Sequence, residues 1–142
     1  MSHNPYQKAS QTYQKKNDET LTPLQIVVEL YKGMIKNAKL AKQAQIDGKL
    51  DVMSNHIMKT FDIIEALQSN LDIDNGGEDA VFLNRFYTVI FSSLSQVSMK
   101  PDPAAYFDEI ISYIQQVHDR WYALAYGNIP SGAPAPENQA ST

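Results

Sequence analysis

Three histidines, His3, His56 and His118, are the side chains of this 142-residue chain best suited to moving protons, carrying phosphate or binding a metal. Each of those tasks needs partners at a fixed spacing. His3 precedes the first helical pattern and the other two fall on different helices, so none belongs to a His-Glu-x-x-His pair or to the Glu-x-x-His arrangement of di-iron bundles. Glu29 and Glu65 each lack a histidine three residues on. The sequence therefore predicts no metal and no cofactor. Ser92, Ser93 and Ser95 have no histidine and acid nearby in sequence to activate them. "NGG" at 75–77 has the composition of an interhelical turn rather than of a phosphate-binding loop. No catalytic residue is expected.

One local spacing does suggest chemistry. "NHIMKTF", residues 55–61, sets Lys59 three residues after His56 on a helix, a geometry similar to that of histidine phosphotransfer domains. In those domains small residues follow the lysine and admit a response regulator, whereas here Thr60 and Phe61 follow it. Phe61 lies on the apolar side of its helix and His56 lies toward it, so a half-buried structural histidine is the simpler expectation.

The elements that would position such side chains are legible from their ends. Residues 1–20 are polar, with Tyr6 and Tyr13 as isolated aromatics, and read as a flexible arm. Thr22-Pro23 supplies a side-chain cap and then proline at the first helical position, where its missing N–H is not needed. Helices are predicted over about Pro23–Ile46, Leu50–Leu71, Glu78–Val97 and from Asp102-Pro103 to about Ala125. "DGK" at 47–49, "DIDNGGED" at 72–79, "SMKPDP" at 98–103 and Gly127 interrupt them. The bundle domain spans 21–126. The tail "GNIPSGAPAPENQAST", residues 127–142, has the composition of a disordered segment and carries no Lys or Arg. Four helices joined by short loops predict an all-α, antiparallel up-down bundle.

The helices carry more apolar surface than such a bundle needs. At 100° per residue, Ile26, Leu30, Ala41, Met34, Val27, Ala38, Tyr31, Leu24, Ile35 and Val28 cover about 200° of the first helix, against the roughly 100° of an ordinary core-facing stripe. Met53, Ile57, Phe61, Ile64 and Leu67 sit in a similar arc on the second, and Phe82, Phe86, Tyr87, Val89, Ile90 and Phe91 in one on the third. Central placement in the bundle, homodimerisation and an amphipathic partner seated in surface grooves all account for such width. Beside the first arc, Lys32, Lys36, Lys39 and Lys42 form a basic stripe, either a solvated face or a rim that steers an acidic or amphipathic partner.

A formal charge of -4 argues against nucleic acid, because phosphate binding draws on a basic surface. The absence of cysteine fits a reducing compartment. The N-terminal residues have no signal-like apolar core, and no apolar run is long enough to span a bilayer. A cytoplasmic protein without membrane insertion is expected.

"NPYQKASQTYQ", "LTPLQIVVELYKGMIKNAKLAKQA", "DIIEALQSNLDID", "NGGEDAVFLNRFYTVI" and "HDRWYAL" follow one another along the chain. In that order they resemble the flagellar secretion chaperone family FliS over roughly residues 4–124. The likeness includes the Leu-Tyr-x-Gly core of the first helix (Leu30, Tyr31, Gly33), the Gly-Gly-Glu turn and the tryptophan near the end of the fourth helix. Thr22 stands where the family usually has serine, and Phe86-Tyr87-Thr88-Val89 replaces its Leu-Tyr-x-Tyr.

The resemblance implies a helical bundle that holds the disordered C-terminal region of flagellin, prevents its premature polymerisation and hands it to the flagellar type III export apparatus. It implies no enzymatic activity. Partner contacts are then expected from Leu30, Tyr31, Met34, Ile57, Ile64, Leu67, Phe86 and Tyr87, with Tyr6 and Tyr13 in the arm. Core packing is the alternative for each of the helical residues. The protein is expected to act as a monomer or weak homodimer.

Overall fold

Thr22 opens the first helix with a reciprocal cap: its hydroxyl accepts from the Gln25 backbone N–H at 3.1 Å, and its own N–H donates to the Gln25 side chain at 3.1 Å. With Pro23 in the first turn, α1 runs Pro23–Ile46. The computed structural model describes residues 20–127. The arm expected over 1–20 and the tail expected over 127–142 therefore lie outside the described residues, except for Thr20 and Gly127.

The second helix, α2, spans Leu50–Ser69, two residues short of the expected Leu71. The Asn70 side chain donates to the Ala66 carbonyl at 2.7 Å, satisfying an end carbonyl that another turn would have used. Asp72 then organises the turn by accepting from the Asn75 backbone at 3.1 Å. Gly76 is required there, since a Cβ would sit 2.5 Å from both the Asp72 carbonyl oxygen and Ala80 Cβ. Gly77–Gln96 forms α3, continued by a 3₁₀ turn at Val97–Met99. The last helix, α4, runs Pro103–Tyr126 behind an Asp102 cap and ends at Gly127, whose φ of 72° is the left-handed closure that glycine allows.

Cross-helix contacts give the topology. Gly33 of α1 lies against Ile63 of α2 while Asn37 bonds His56, so the numbering rises on one helix as it falls on the other. Gln68–Asn84 and Phe61–Phe91 make the same pattern for α2 and α3, and Tyr31–Trp121 and Lys42–Asp108 for α1 and α4. The result is an antiparallel four-helix bundle with up-down-up-down order, as expected.

Helix α1 packs closely along both α2 and α4, whereas α3 approaches its neighbours less closely. Side-chain size explains the difference. Gly33, Ala38, Ala41 and Ala44 let backbones come near, while Phe86, Tyr87, Ile90 and Leu94 hold α3 off. The broad arc of α1 is thus spent inside the fold: Ile26, Val28, Leu30, Tyr31, Met34, Ile35, Ala38 and Ala41 are all buried. Ile26, Leu30, Tyr31, Met34, Ile35 and Ala41 join Ile57, Ile64, Tyr87, Phe107 and Ile114 in one core.

Gly33 offers a test of that close approach. A Cβ there would stand 3.1 Å from Ile63 Cδ1, the flexible end of a side chain. Gly33→Ala should therefore lie within about 1 kcal/mol of wild type, the helix-propensity gain offsetting the crowding. Gly33→Leu should lose about 1–3 kcal/mol or more through overpacking. Urea unfolding of both variants checks this; equal stabilities would mean that α1 and α2 separate freely at this point.

Candidate partner-binding surface

Part of the exposed apolar surface lies on the flanks of α3. On its α2 side, Met58, Phe61, Ile64 and Phe91 line a groove rimmed by Asp62, Glu65, Gln68 and Ser69. Phe61 and Phe91 stack with ring centroids 4.3 Å apart, fixing the groove's aromatic wall. The Gln68 amide donates to Asn84 Oδ1 at 2.9 Å and to Thr88 Oγ1 at 3.1 Å, tying α2 to α3 along the same side. Met58 is 57% exposed and Phe91 48%.

On its other flank α3 carries Phe82, Phe86 and Val89 at i, i+4 and i+7, one face of the helix. Phe82 stacks on Phe86 at 6.3 Å and, with Leu83, faces Val117, Trp121 and Leu124 of α4 across a second hollow. Phe82 is 51% exposed. Large apolar side chains half in water at both flanks of one helix suit a surface that receives other apolar groups.

The residues expected from sequence occupy different places. Leu30, Tyr31, Met34, Ile57, Ile64, Leu67 and Tyr87 are buried core side chains, and only Phe86 is half-exposed. Of the buried set, Ile64 forms part of the α2/α3 groove floor. Tyr6 and Tyr13 lie outside the described residues. Sequence reasoning favoured the centres of the apolar arcs, which face inward, and passed over Met58, Phe82 and Phe91. The signal for the last two was their place toward the edges of the α3 arc.

His56, Ser92 and Ser95 are engaged in the fold. His56 is half-buried and its Nδ1 lies 3.0 Å from Asn37 Oδ1, joining α2 to α1, and the Thr60 hydroxyl donates to the His56 carbonyl at 3.0 Å. Ser95 donates to the Phe91 carbonyl and Ser92 accepts from Gln96. Among the described residues no group of three or more His, Asp or Glu side chains is placed to hold a metal ion, and no helix is long and apolar enough to cross a membrane. The basic stripe divides: Lys32 pairs with Glu29 at 3.3 Å and Lys42 with Asp108 at 2.7 Å, while Lys36 and Lys39 are exposed.

The family described as "Flagellar protein FliS" matches residues 6–128 of the chain. The chain belongs to the FliS family. It is 30% identical over 100 residues to the flagellar secretion chaperone FliS of Vibrio cholerae serotype O1 (strain ATCC 39315 / El Tor Inaba N16961), an alignment covering 70% of this chain and 73% of that protein. It is 26% identical over 118 residues to the flagellar secretion chaperone FliS of Bacillus subtilis (strain 168), covering 83% and 84%. The FliS match takes in Tyr6 and Tyr13 as well as all four helices. Membership in FliS places the protein among flagellar secretion chaperones.

Proposed function

We propose that this protein is a cytoplasmic export chaperone that binds the C-terminal region of flagellin, blocks its premature polymerisation and delivers it to the flagellar type III export apparatus. It does so without catalysis or cofactor. The observation that supports this reading best is the α2/α3 groove, where Met58, Phe61 and Phe91 leave aromatic and thioether surface in water beside a packed core. Amphipathic segments that would otherwise associate with each other can bury their apolar positions there at i, i+3, i+4 and i+7. Phe82 and Phe86 extend the apolar contact along the opposite flank of α3. The buried residues expected from sequence act beneath these side chains, holding the groove's shape.

Binding of this kind removes apolar surface from water and orders the client, which typically costs about 2–5 kcal/mol of the gross interaction. Calorimetry with a purified flagellin C-terminal peptide should give one-to-one stoichiometry and a negative heat-capacity change. Circular dichroism should show helix gained on mixing. An interaction abolished by moderate salt and accompanied by no added helix would count against the proposal.

Tyr6 and Tyr13 are proposed as client contacts that, in the free protein, compete with the client by covering exposed apolar groups. Deleting residues 1–18 should then raise binding of an apolar dye and speed flagellin association, since a docked arm lowers the competent fraction. Stopped-flow rates measure this, and unchanged dye binding with unchanged rates would leave the arm without that role.

A further inference from the structure

On the side of the bundle away from the α2/α3 groove, α1 and α4 enclose a third hollow, separate from the client surface proposed on α3. Ile35, Leu40 and Tyr122 provide its apolar lining, and Lys32, Lys36 and Lys39 run along one edge at i, i+4 and i+7. Three cations on one edge stand out on a chain of formal charge -4. Glu29 engages Lys32, but Lys36 and Lys39 form no ion pair among the described residues.

The α4 wall is built on a packed polar cluster. His118 lines the hollow with a side chain only 6% exposed. Its Nδ1 lies 2.9 Å from Asp119 Oδ1, and the Gln115 amide donates to the same carboxylate oxygen at 3.0 Å. Asp119 therefore favours the tautomer with a proton on Nδ1. Nε2 has no hydrogen-bond partner, the one such buried side-chain atom among the described residues. That nitrogen is closed off from the hollow, so the cluster shapes the wall rather than meeting a ligand.

We infer that the α1/α4 hollow is a second docking site, for a short amphipathic helix of another protein that carries acidic side chains beside its apolar positions. Lys36 and Lys39 receive the carboxylates, and Leu40 and Tyr122 receive the apolar face. The spacing from Lys32 to Lys39 is about 10 Å along α1, two turns of helix, which sets the length of the contact. Charge decides against the chain's own ends as occupant. In residues 1–19 Lys8, Lys15 and Lys16 outnumber Asp18 and Glu19, leaving the segment net positive, and residues 128–142 offer Glu137 as their one acidic side chain and Ile129 as their one large apolar residue.

The inference is independent of flagellin binding on α3, and the test keeps the two apart. A fluorescein-labelled amphipathic peptide with leucines at helical spacing flanked by glutamates is titrated into the full chain, alongside the same peptide with lysine for glutamate. The glutamate peptide should bind on the order of tenfold more tightly, and more so at low salt. Lys36→Glu/Lys39→Glu should reverse the preference and Lys36→Gln/Lys39→Gln should abolish it; both positions are exposed, and circular dichroism checks the fold. Met58→Asp/Phe91→Asp should leave the preference unchanged, and a flagellin C-terminal peptide titrated in parallel should bind the lysine variants as it binds wild type. Equal affinity for the two probe peptides, or a preference that survives both double substitutions, overturns the inference. So does a tenfold gain on deleting residues 128–142, which would assign the hollow to the chain's own tail. Concentration-dependent self-association lost in Lys36→Glu/Lys39→Glu would assign it to a second copy, with the same consequence.

Discussion

Met58→Asp/Phe91→Asp should weaken binding of the flagellin C-terminal region by roughly 30- to 1,000-fold while leaving the bundle folded. The two side chains are about half exposed in the free protein, so the area they can still bury belongs to the complex and not to the fold. Full burial of one such side chain contributes about 1.5–3 kcal/mol, and an aspartate in its place must in addition be desolvated against an apolar client. A combined loss of about 2–4 kcal/mol corresponds to the stated range. The fold loses less. Met58 contributes little to the core, and Phe91 forfeits its stack on Phe61, worth about 0.5–1.5 kcal/mol beyond area burial.

Because Asp62 and Glu65 already line that rim, new aspartates also add like charge. Met58→Lys/Phe91→Lys separates the two causes. If apolar burial dominates, lysine should weaken binding nearly as much as aspartate; if the groove works by charge, lysine and aspartate should differ by far more than either differs from wild type. Calorimetric affinities for both variants, with thermal unfolding as a control, distinguish these cases. Wild-type affinity in both would remove the α2/α3 groove from the client surface.

The helix ends were readable because caps act within a few residues. Thr22 with Gln25, Asp102 with Ala105 and the left-handed Gly127 are each local devices. The end of α2 was misplaced by the same logic, since Asn70 reads as a continuing polar position until its amide is seen on the Ala66 carbonyl. Helical period also found the core, but it carries no information on how far apart two helices stand. That distance depends on volumes meeting across the interface, small at Gly33, Ala38 and Ala41 and large at Phe86 and Tyr87. Equal arcs on α1 and α3 therefore met different fates. The first is covered on both sides apart from Leu24 at its start, and the second keeps Phe82 and Phe91 half in water.

His118 was hidden for another reason. Its burial rests on Asp119 and Gln115 gathering around Nδ1, and nothing in a helical wheel distinguishes that cluster from a solvated polar edge. Likewise the arcs' centres, Leu30, Tyr31 and Met34, attract attention as candidate contacts because they are the most apolar positions. In a folded bundle those are the positions that the neighbouring helices claim first.

Alkaline pH should destabilise the protein through the tyrosine pair at the centre of the bundle. The hydroxyls of Tyr31 and Tyr87 lie 2.7 Å apart in the core, in contact with Phe86 and Trp121. Burial pushes the Tyr31 hydroxyl up to about 12, tempered by the Tyr87 hydroxyl and the Trp121 indole. Burial raises Tyr87 further still, reinforced by the neighbouring Tyr31 charge and hydroxyl. In the unfolded chain both titrate near pH 10. Above that pH the unfolded state binds fewer protons than the folded state, so stability, undiminished at pH 8, falls as pH rises. Tyr31 alone should remove about 2–3 kcal/mol between pH 10 and 12, and Tyr87 adds to the loss over the same window.

Tyr31→Phe/Tyr87→Phe should flatten this dependence. At pH 7 the single change Tyr31→Phe should cost about 1–3 kcal/mol by stranding the Tyr87 hydroxyl, whereas the double variant strands neither and should lose less than the sum of the singles. Urea unfolding at neutral pH and across pH 8–11.5 measures both effects. Additive single losses at pH 7 would mean that the hydroxyls do not depend on each other. An alkaline slope in the double variant equal to that of wild type would place the sensitive groups elsewhere in the chain.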